Sequence, residues 1–234
     1  SSPEEALQAL ARWQGRARII AGGTDLVLNA REGKQSPACA VDITTIPGID
    51  TIAGEGDWVV AGAAVTFHQL WTSPLVNRHG HVLAEAARSV GAWSIQNVGT
   101  LGGNVVTALP AGDGSIALLA LGAEAEVARL DGRRWVAVSS LFAGQGKSRL
   151  DASRELITRF RWRKPAAHQS SAYERIARRE TMALPIACCG VDLELTADLQ
   201  HIAWARIALG PVAETPFRAI CAEDALRGAA CEDA

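Results

Sequence analysis

The chain has 234 residues, of which 48% are hydrophobic and 21% are charged, so it is long enough for one large domain or two small ones with a substantial core. Its formal net charge of −2 lacks the basic excess of nucleic-acid-binding domains, and no apolar run approaches the ~20 residues that a bilayer span requires. The first five residues are polar and acidic and do not resemble a signal peptide.

The chain contains five cysteines, an odd number, and none of them forms a CxxC pair. This pattern argues against a disulfide framework, and it makes the cytoplasm the default compartment. An iron–sulfur cluster requires four suitably spaced thiolates, so we expect no cluster on this chain. We assign no metal ligand from the sequence.

The first two thirds of the chain alternate between helical and extended patterns. Apolar spacing and a possible cap at Ser2 predict a first helix over residues 3–13. Further helices are predicted over 66–71, 82–90 and 115–121. Strands are predicted over 17–21, 39–43, 51–53, 58–61, 124–130, 134–138 and 156–162. The basic run from Arg159 to Lys164 is typical of a solvated strand face.

The last third of the chain predicts a second, smaller α+β unit. Residues 165–171 have the composition of a linker. Strand patterns then cover 170–177, 186–195 and 202–209, and a helix is predicted over 222–226.

The first predicted strand runs into a Gly22–Gly23 turn and then into a helix start. Such a turn exposes several backbone N–H groups in one direction, and this arrangement binds phosphate oxygens with help from the helix dipole. Glycine suits the position because it lets the backbone approach a ligand without a Cβ in the way. The alternative is a tight strand-to-helix turn capped by Thr24 or Asp25, and the sequence alone does not decide between them.

A second glycine-rich stretch, over residues 97–104, has three glycines within five residues and contains neither Lys nor Arg. Its apolar flanks predict a buried loop, whose backbone groups need partners that a bound diphosphate would supply. The absence of Lys favours a tightly held cofactor over nucleotide hydrolysis. Downstream, Asp113 either accepts hydrogen bonds from sugar-type hydroxyls or caps the following helix.

The two glycine-rich stretches together predict an extended dinucleotide that lies between them. Neither stretch fits the GxGxxG fingerprint, which disfavours a Rossmann domain.

The motifs AGGTDL at 21–26 and NVGTLGGNVVTALPAGD at 97–113 closely resemble the FAD-binding medium subunit of molybdenum hydroxylases, the family of the xanthine dehydrogenase and carbon monoxide dehydrogenase flavoproteins. The segments VDITTIPGIDTI at 41–52, AGAAVTFHQL at 61–70 and IALGPVAETPFRAICAEDALRG at 207–228 extend the resemblance over nearly the whole chain.

The resemblance implies an α+β fold. A PCMH-type FAD-binding domain of two α+β subdomains would occupy residues 1–165. A small α+β domain like the C-terminal domain of carbon monoxide dehydrogenase flavoproteins would occupy 168–234 and is expected to be incomplete.

The resemblance also implies a set of FAD-binding residues. The FAD pyrophosphate would be held by Ile19, Ile20, Ala21, Gly22, Gly23, Thr24, Asp25 and Leu26. The opposing wall would be formed by Thr100, Leu101, Gly102, Gly103 and Asn104. Val90 and Ile157 match apolar positions that touch the cofactor, and Asp113 would hold cofactor hydroxyls. Arg175 matches a position usually held by Lys beside the flavin, where a cation would stabilise the negatively charged reduced form. The alternative for Arg175 is a surface strand residue.

This chain departs from the resemblance at two positions, because family members often carry Gln and Arg where it has Ser94 and Gln96. The departure puts the partner contacts or the anchoring of the loop in question.

The function implied by the resemblance is an electron relay. A molybdopterin centre on a large partner subunit would oxidise a small substrate, and electrons would pass through 2Fe–2S clusters on a small partner subunit to FAD on this chain, and then to NAD or another acceptor. The chemistry resides in the flavin, so we assign no catalytic side chain.

Two alternatives remain open. One is a free-standing FAD oxidase of the wider PCMH superfamily, with His68 as a candidate for a covalent flavin link. The other is a cofactor-free scaffold.

Overall fold

The computed structural model describes residues 2–179 and 181–231. The helices are α1 Pro3–Trp13, α2 Leu26–Arg31, α3 Phe67–Thr72, α4 Pro74–His79, α5 His81–Ser89, α6 Trp93–Gln96, α7 Leu101–Thr107, α8 Asp113–Ala120 and α9 Ile220–Leu226. The strands are β1 Ala17–Ile20, β2 Cys39–Asp42, β3 Ile52–Glu55, β4 Trp58–Gly62, β5 Glu124–Arg129, β6 Gly132–Ala137, β7 Phe142–Gly144, β8 Lys147–Ser148, β9 Leu156–Arg163, β10 Gln169–Ala177, β11 Pro185–Leu195, β12 Ile202–Gly210 and β13 Phe217–Arg218.

The chain opens with a small subdomain built on one parallel strand pair. Ser2 caps α1 through a reciprocal capping box with Glu5, and the apolar stripe of α1 buries Leu7 and Leu10. Strands β1 and β2 then pair in parallel with Ala17 opposite Cys39. The carboxyl end of β1 leads directly into the first glycine-rich turn.

A five-stranded antiparallel sheet in the order β3-β4-β9-β5-β6 forms the second subdomain. The period-two alternation of β9 sends Phe160 and Trp162 into the core with 0% exposure. It leaves Arg161 on the other face, where its guanidinium lies 4.0 Å from the Trp135 ring centroid and 4.3 Å from that of Trp58. The basic run is thus a strand face, as predicted, and it is braced by cation–π contacts.

A four-stranded antiparallel sheet in the order β10-β11-β12-β13 forms the C-terminal domain and packs on helices α5 and α8. The packing is very close at two glycines. A Cβ on Gly190 would lie 3.3 Å from Ala120 Cβ, and a Cβ on Gly210 would lie 2.3 Å from the Pro110 carbonyl oxygen. The sheet therefore shares a core with the helices that border the functional site.

The predicted helices and strands are confirmed to within a few residues at their ends. Two predictions are wrong. The linker over 165–171 is short because β10 already begins at Gln169. The stretch over 97–104 is a loop only as far as residue 100, since α7 begins at Leu101. Helix α4, capped by Ser73, was not predicted. Across the described ranges, no helix combines the length and apolar character that crossing a membrane requires.

We expect Ile116→Ala to lower the free energy of unfolding by about 2–5 kcal/mol, because it opens a cavity between α8 and the C-terminal sheet. Ile116 is 0% exposed, and its Cγ2 lies 3.6 Å from the Cβ position of Gly190. Urea unfolding followed by circular dichroism measures the change. The control is Ile220→Ala, which removes the same atoms at a 52% exposed position and should change the unfolding free energy by less than about 0.5 kcal/mol.

Candidate functional site

A cavity of about 1160 Å³ lies where the small N-terminal subdomain, helices α7 and α8, and the C-terminal sheet meet. Its volume exceeds the ~300–1,000 Å³ typical of sites for drug-sized ligands. Most of the predicted site residues line it, namely Ile19, Ile20, Ala21, Gly22, Gly23, Thr24, Asp25, Leu26, Val90, Thr100, Gly102, Gly103, Asn104, Asp113, Ile157 and Arg175. Leu101 is the exception, because its side chain is 0% exposed and packs in the core beside Gly114.

The first glycine-rich turn carries backbone amides that the protein does not use. The amides of residues 22–25 donate to no acceptor within the described part of the chain. Gly23 has a φ of +72°, the left-handed conformation that lets successive amides form a concave anion site. Asp25 precedes α2 without a side-chain capping bond, so the capped-turn alternative is wrong. The turn retains the hydrogen-bonding capacity that a phosphate group requires.

The two glycine-rich segments touch each other at Gly22. A Cβ at this position would stand 1.8 Å from the Val98 carbonyl oxygen, so only glycine fits without moving one of the segments. Thr107 Oγ1 on α7 adds a second link by donating to Asp25 Oδ2 at 3.4 Å. The two segments therefore lie side by side along one cavity.

The amides of the second glycine-rich segment form hydrogen bonds within the protein, whereas the prediction left them for a bound diphosphate. Apart from the amide of Thr100, its amide donors are already bonded within the protein. They donate from Gly99 to Ile95 O, Leu101 to Val65 O, Gly102 to Ala63 O, Gly103 to Thr100 Oγ1 and Asn104 to Thr100 O. The expectation that a diphosphate would satisfy this segment is wrong, because neighbouring carbonyls and the Thr100 cap of α7 satisfy it instead. The glycines serve close packing, since a Cβ on Gly102 would lie 2.7 Å from Ala63 O. The segment contributes a wall and no set of free donors.

Asp113 lies at the first position of α8 and is 7% exposed. Gly112 holds the cap position, so the capping alternative for Asp113 is wrong. Asp113 Oδ1 accepts hydrogen bonds from the Tyr173 hydroxyl at 2.6 Å and from Ser89 Oγ at 3.3 Å. Burial raises the pKa of Asp113 and outweighs the opposing effects of Tyr173 and Arg175.

Arg175 is a cavity residue and not a surface one. Its side chain is 13% exposed, and Nη1 lies 3.6 Å from Asp113 Oδ1. The guanidinium also donates to the carbonyl oxygens of Ser89 and Ala183, which fix it in place. The structure thus places a cation and a buried carboxylate together at one wall of the cavity.

Gln96 anchors the segment that precedes the second glycine-rich stretch. Its Nε2 donates to Arg88 O at 2.9 Å and to Val90 O at 3.0 Å. The departure at this position therefore preserves loop anchoring and fixes the end of α5, where Val90 lines the cavity. Ser94 is exposed.

Sequence reasoning missed the β7–β8 hairpin, and it did not place the turn between β10 and β11 at the cavity. Lys147 and Ser148 come from β8, and Met182 and Leu184 come from the turn between β10 and β11. Tyr173, the partner of Asp113, was also missed because it lies 60 positions away in the sequence. In the sequence, only the glycines around β7 and β8 mark this region, and they predict a turn but not a binding site.

His68 does not reach the cavity. Its ring packs edge-on against Trp71 and Trp93, with centroid distances of 5.3 and 4.8 Å. Among the described cavity-lining residues there is neither His nor Cys, so the covalent form of the oxidase alternative has no candidate attachment residue there. No cluster of three His, Cys, Asp or Glu side chains suited to a metal ion occurs in the part of the chain that the structure describes.

Comparison with known families and proteins agrees with this geometry. A family model described as the FAD binding domain in molybdopterin dehydrogenase matches residues 1–162, and one described as the CO dehydrogenase flavoprotein C-terminal domain matches residues 171–234. The FAD-subunit of nicotinate dehydrogenase from Eubacterium barkeri is 32% identical over 213 residues, which cover 90% of this chain and 72% of that protein. The carbon monoxide dehydrogenase medium chain from Hydrogenophaga pseudoflava is 31% identical over 217 residues, which cover 92% and 73%.

Solved structures show the same fold. A carbon monoxide dehydrogenase structure from Hydrogenophaga pseudoflava superposes with a TM-score of 0.94 at 31% identity, over 99% of this chain and 79% of that one. Quinoline 2-oxidoreductase from Pseudomonas putida 86 superposes with a TM-score of 0.88 at 30% identity, also over 99% and 79%. The fold is therefore the PCMH-type FAD-binding domain followed by the small C-terminal domain, and this chain belongs to the family of FAD-binding subunits of molybdenum hydroxylases.

Proposed function

We propose that this chain binds FAD in the cavity and passes electrons from iron–sulfur clusters on a partner subunit, by way of FAD, to NAD or another acceptor. The observation that carries the proposal is the row of four unpaired amides at 22–25, which face no competing acceptor in the described chain and line a cavity large enough for a dinucleotide. When bound, FAD supplies the redox chemistry, since it exchanges electrons both singly and in pairs.

The residues of this chain would bind and orient the cofactor. The free amides of the Gly22–Gly23 turn would donate to the FAD diphosphate, with the start of α2 adding a favourable dipole. Thr100, Gly102, Gly103 and Asn104 would form the opposing wall. Leu101 would act only indirectly, by fixing α7 in the core.

Four further side chains would act on the remaining parts of FAD. Val90 and Ile157 offer apolar contact surface, and Asp113 would accept hydrogen bonds from cofactor hydroxyls. Arg175 would place positive charge beside the flavin.

The proposed partners are a large molybdopterin subunit and a small subunit with 2Fe–2S clusters. The family supports this, because its members include medium chains of carbon monoxide dehydrogenase. The five cysteines are all unpaired, which is consistent with the cytoplasm as the proposed compartment.

We place the boundary between the two domains at 165–168, a position supported by the family matches that end at 162 and resume at 171.

The experiment that tests the function is spectroscopic. The purified chain is mixed with FAD, and the flavin absorbance retained after gel filtration is measured, alone and with the two partner subunits. We expect retained flavin and co-elution with the partners. A chain that stays colourless in excess FAD contradicts the proposal. Adding NAD to the substrate-reduced complex and following NADH formation then tests the acceptor.

We expect Gly22→Ala to weaken FAD binding by at least roughly tenfold, because the new Cβ would lie 1.8 Å from Val98 O and force the two segments apart. Titration of flavin fluorescence measures the dissociation constant. Gly54→Ala is the matched control, since its Cβ would make only an ordinary contact of 3.6 Å with Lys164 Nζ, away from the cavity. Equal affinities for the two variants would argue against the turn as the diphosphate site.

We expect Arg175→Met to lower the flavin reduction potential by about 30 mV or more, because it removes positive charge that favours the reduced cofactor. Spectroelectrochemical titration measures the potential. Arg175→Lys keeps the charge and should retain most of the wild-type value. A potential that is the same in the Met and Lys variants would show that the charge of Arg175 does not tune the flavin.

A further inference from the structure

The two carboxylate oxygens of Asp113 have different surroundings. Oδ1 accepts hydrogen bonds from the Tyr173 hydroxyl at 2.6 Å and from Ser89 Oγ at 3.3 Å, and it lies 3.6 Å from Arg175 Nη1. Oδ2 accepts no hydrogen bond from another residue in the described ranges, and the side chain lines the cavity. The backbone amide of Asp113 itself also interacts with this carboxylate. The protein therefore holds one oxygen and leaves the other for a ligand.

Tyr173 is itself firmly held, and it comes from the other domain. It lies on β10 opposite Gly190 of β11, is 6% exposed, and its backbone amide donates to Glu85 Oε2 on α5 at 2.7 Å. Burial and the nearby Asp113 carboxylate raise the pKa of Tyr173, so its phenol keeps its proton and acts as a donor. The hydroxyl thus approaches Asp113 from a fixed direction.

We propose that Tyr173 is a positioning residue for FAD binding: by donating to Oδ1 it fixes the plane of the Asp113 carboxylate and directs Oδ2 toward a ligand hydroxyl in the cavity. This inference rests on the proposed function, because it takes the ligand to be FAD, whose sugar-type hydroxyls are donors that a carboxylate oxygen accepts. The C-terminal domain then completes a site whose phosphate-binding turn belongs to the N-terminal subdomain.

The hydrogen bond has a consequence for pH. The groups that face Asp113 are Tyr173 and Arg175 on β10, Cys188 on β11 and Ser89 on α5. Burial raises the pKa of Asp113, whereas the Tyr173 hydrogen bond and the Arg175 charge lower it. Removing the phenol hydroxyl therefore raises this pKa further, and the carboxylate form that accepts from a ligand is lost at a higher pH.

The test is the pH dependence of FAD binding in the full chain, measured by flavin fluorescence for the wild type and for Tyr173→Phe. In the wild type, affinity should fall as the pH drops through the pKa of Asp113. In Tyr173→Phe we expect about tenfold weaker binding at neutral pH and a midpoint that moves up by roughly one pH unit. Ser89→Ala, which removes the longer bond to the same oxygen, should shift the midpoint less.

Combining variants separates positioning from simple destabilisation. Asp113→Asn should remove the pH midpoint, and Tyr173→Phe added to Asp113→Asn should change the remaining affinity little, because the two residues act through one contact. If Tyr173→Phe keeps the wild-type pH profile, the inference is overturned while the proposed function stands. A wild-type chain that binds no FAD overturns both.

A second measurement covers the case in which Tyr173→Phe does not fold. Tyr173 is the only tyrosine of the chain, so incorporation of 3-fluorotyrosine gives a single fluorine NMR resonance. We expect this resonance to shift when FAD is added and to titrate with Asp113. A resonance that responds to neither overturns the inference.

Discussion

The close approach of Gly22 to the Val98 carbonyl determines the geometry of the site. A side chain at position 22 would separate the small parallel-strand subdomain from α7, since its Cβ would lie 1.8 Å from Val98 O. With glycine, the end of β1 comes directly against the segment that begins α7. This contact between the two segments holds the amides of residues 22–25 at the edge of the cavity, while the amides themselves stay free of hydrogen bonds within the described chain.

The two glycine-rich segments are similar in sequence, but their glycines have different structural roles. In the first, glycine gives a left-handed turn at Gly23 and leaves consecutive amides without partners. In the second, Gly102 lets α7 pack against the Ala63 carbonyl, and its amide is used there. An anion-binding turn and a closely packed helix start share a composition because both require backbone to come near another group without a Cβ.

The C-terminal domain is part of the site and does more than cover it. Gly190 and Gly210 bring its sheet against α8, which carries Asp113 at its first position. Tyr173 and Arg175 of β10 then supply a hydrogen bond and a positive charge to a carboxylate that burial would otherwise leave uncompensated. The wall around Asp113 therefore depends on both domains being docked, and its electrostatics are a property of their interface.

The sequence by itself determined the order of helices and strands, the α+β class, the family, and the two segments that meet at the site, because apolar periodicity and turn composition are local signals. It did not determine which amides are free, since the first turn and the start of α7 are both rich in glycine. They differ in backbone conformation and in the carbonyls that face their amides. The tertiary structure also decided that Leu101 points into the core while its neighbours line the cavity, that His68 packs between two tryptophans, and that Tyr173 reaches Asp113 across 60 positions. Each of these depends on contacts between distant segments, and hydrogen-bond partners and burial are set only when those segments pack together.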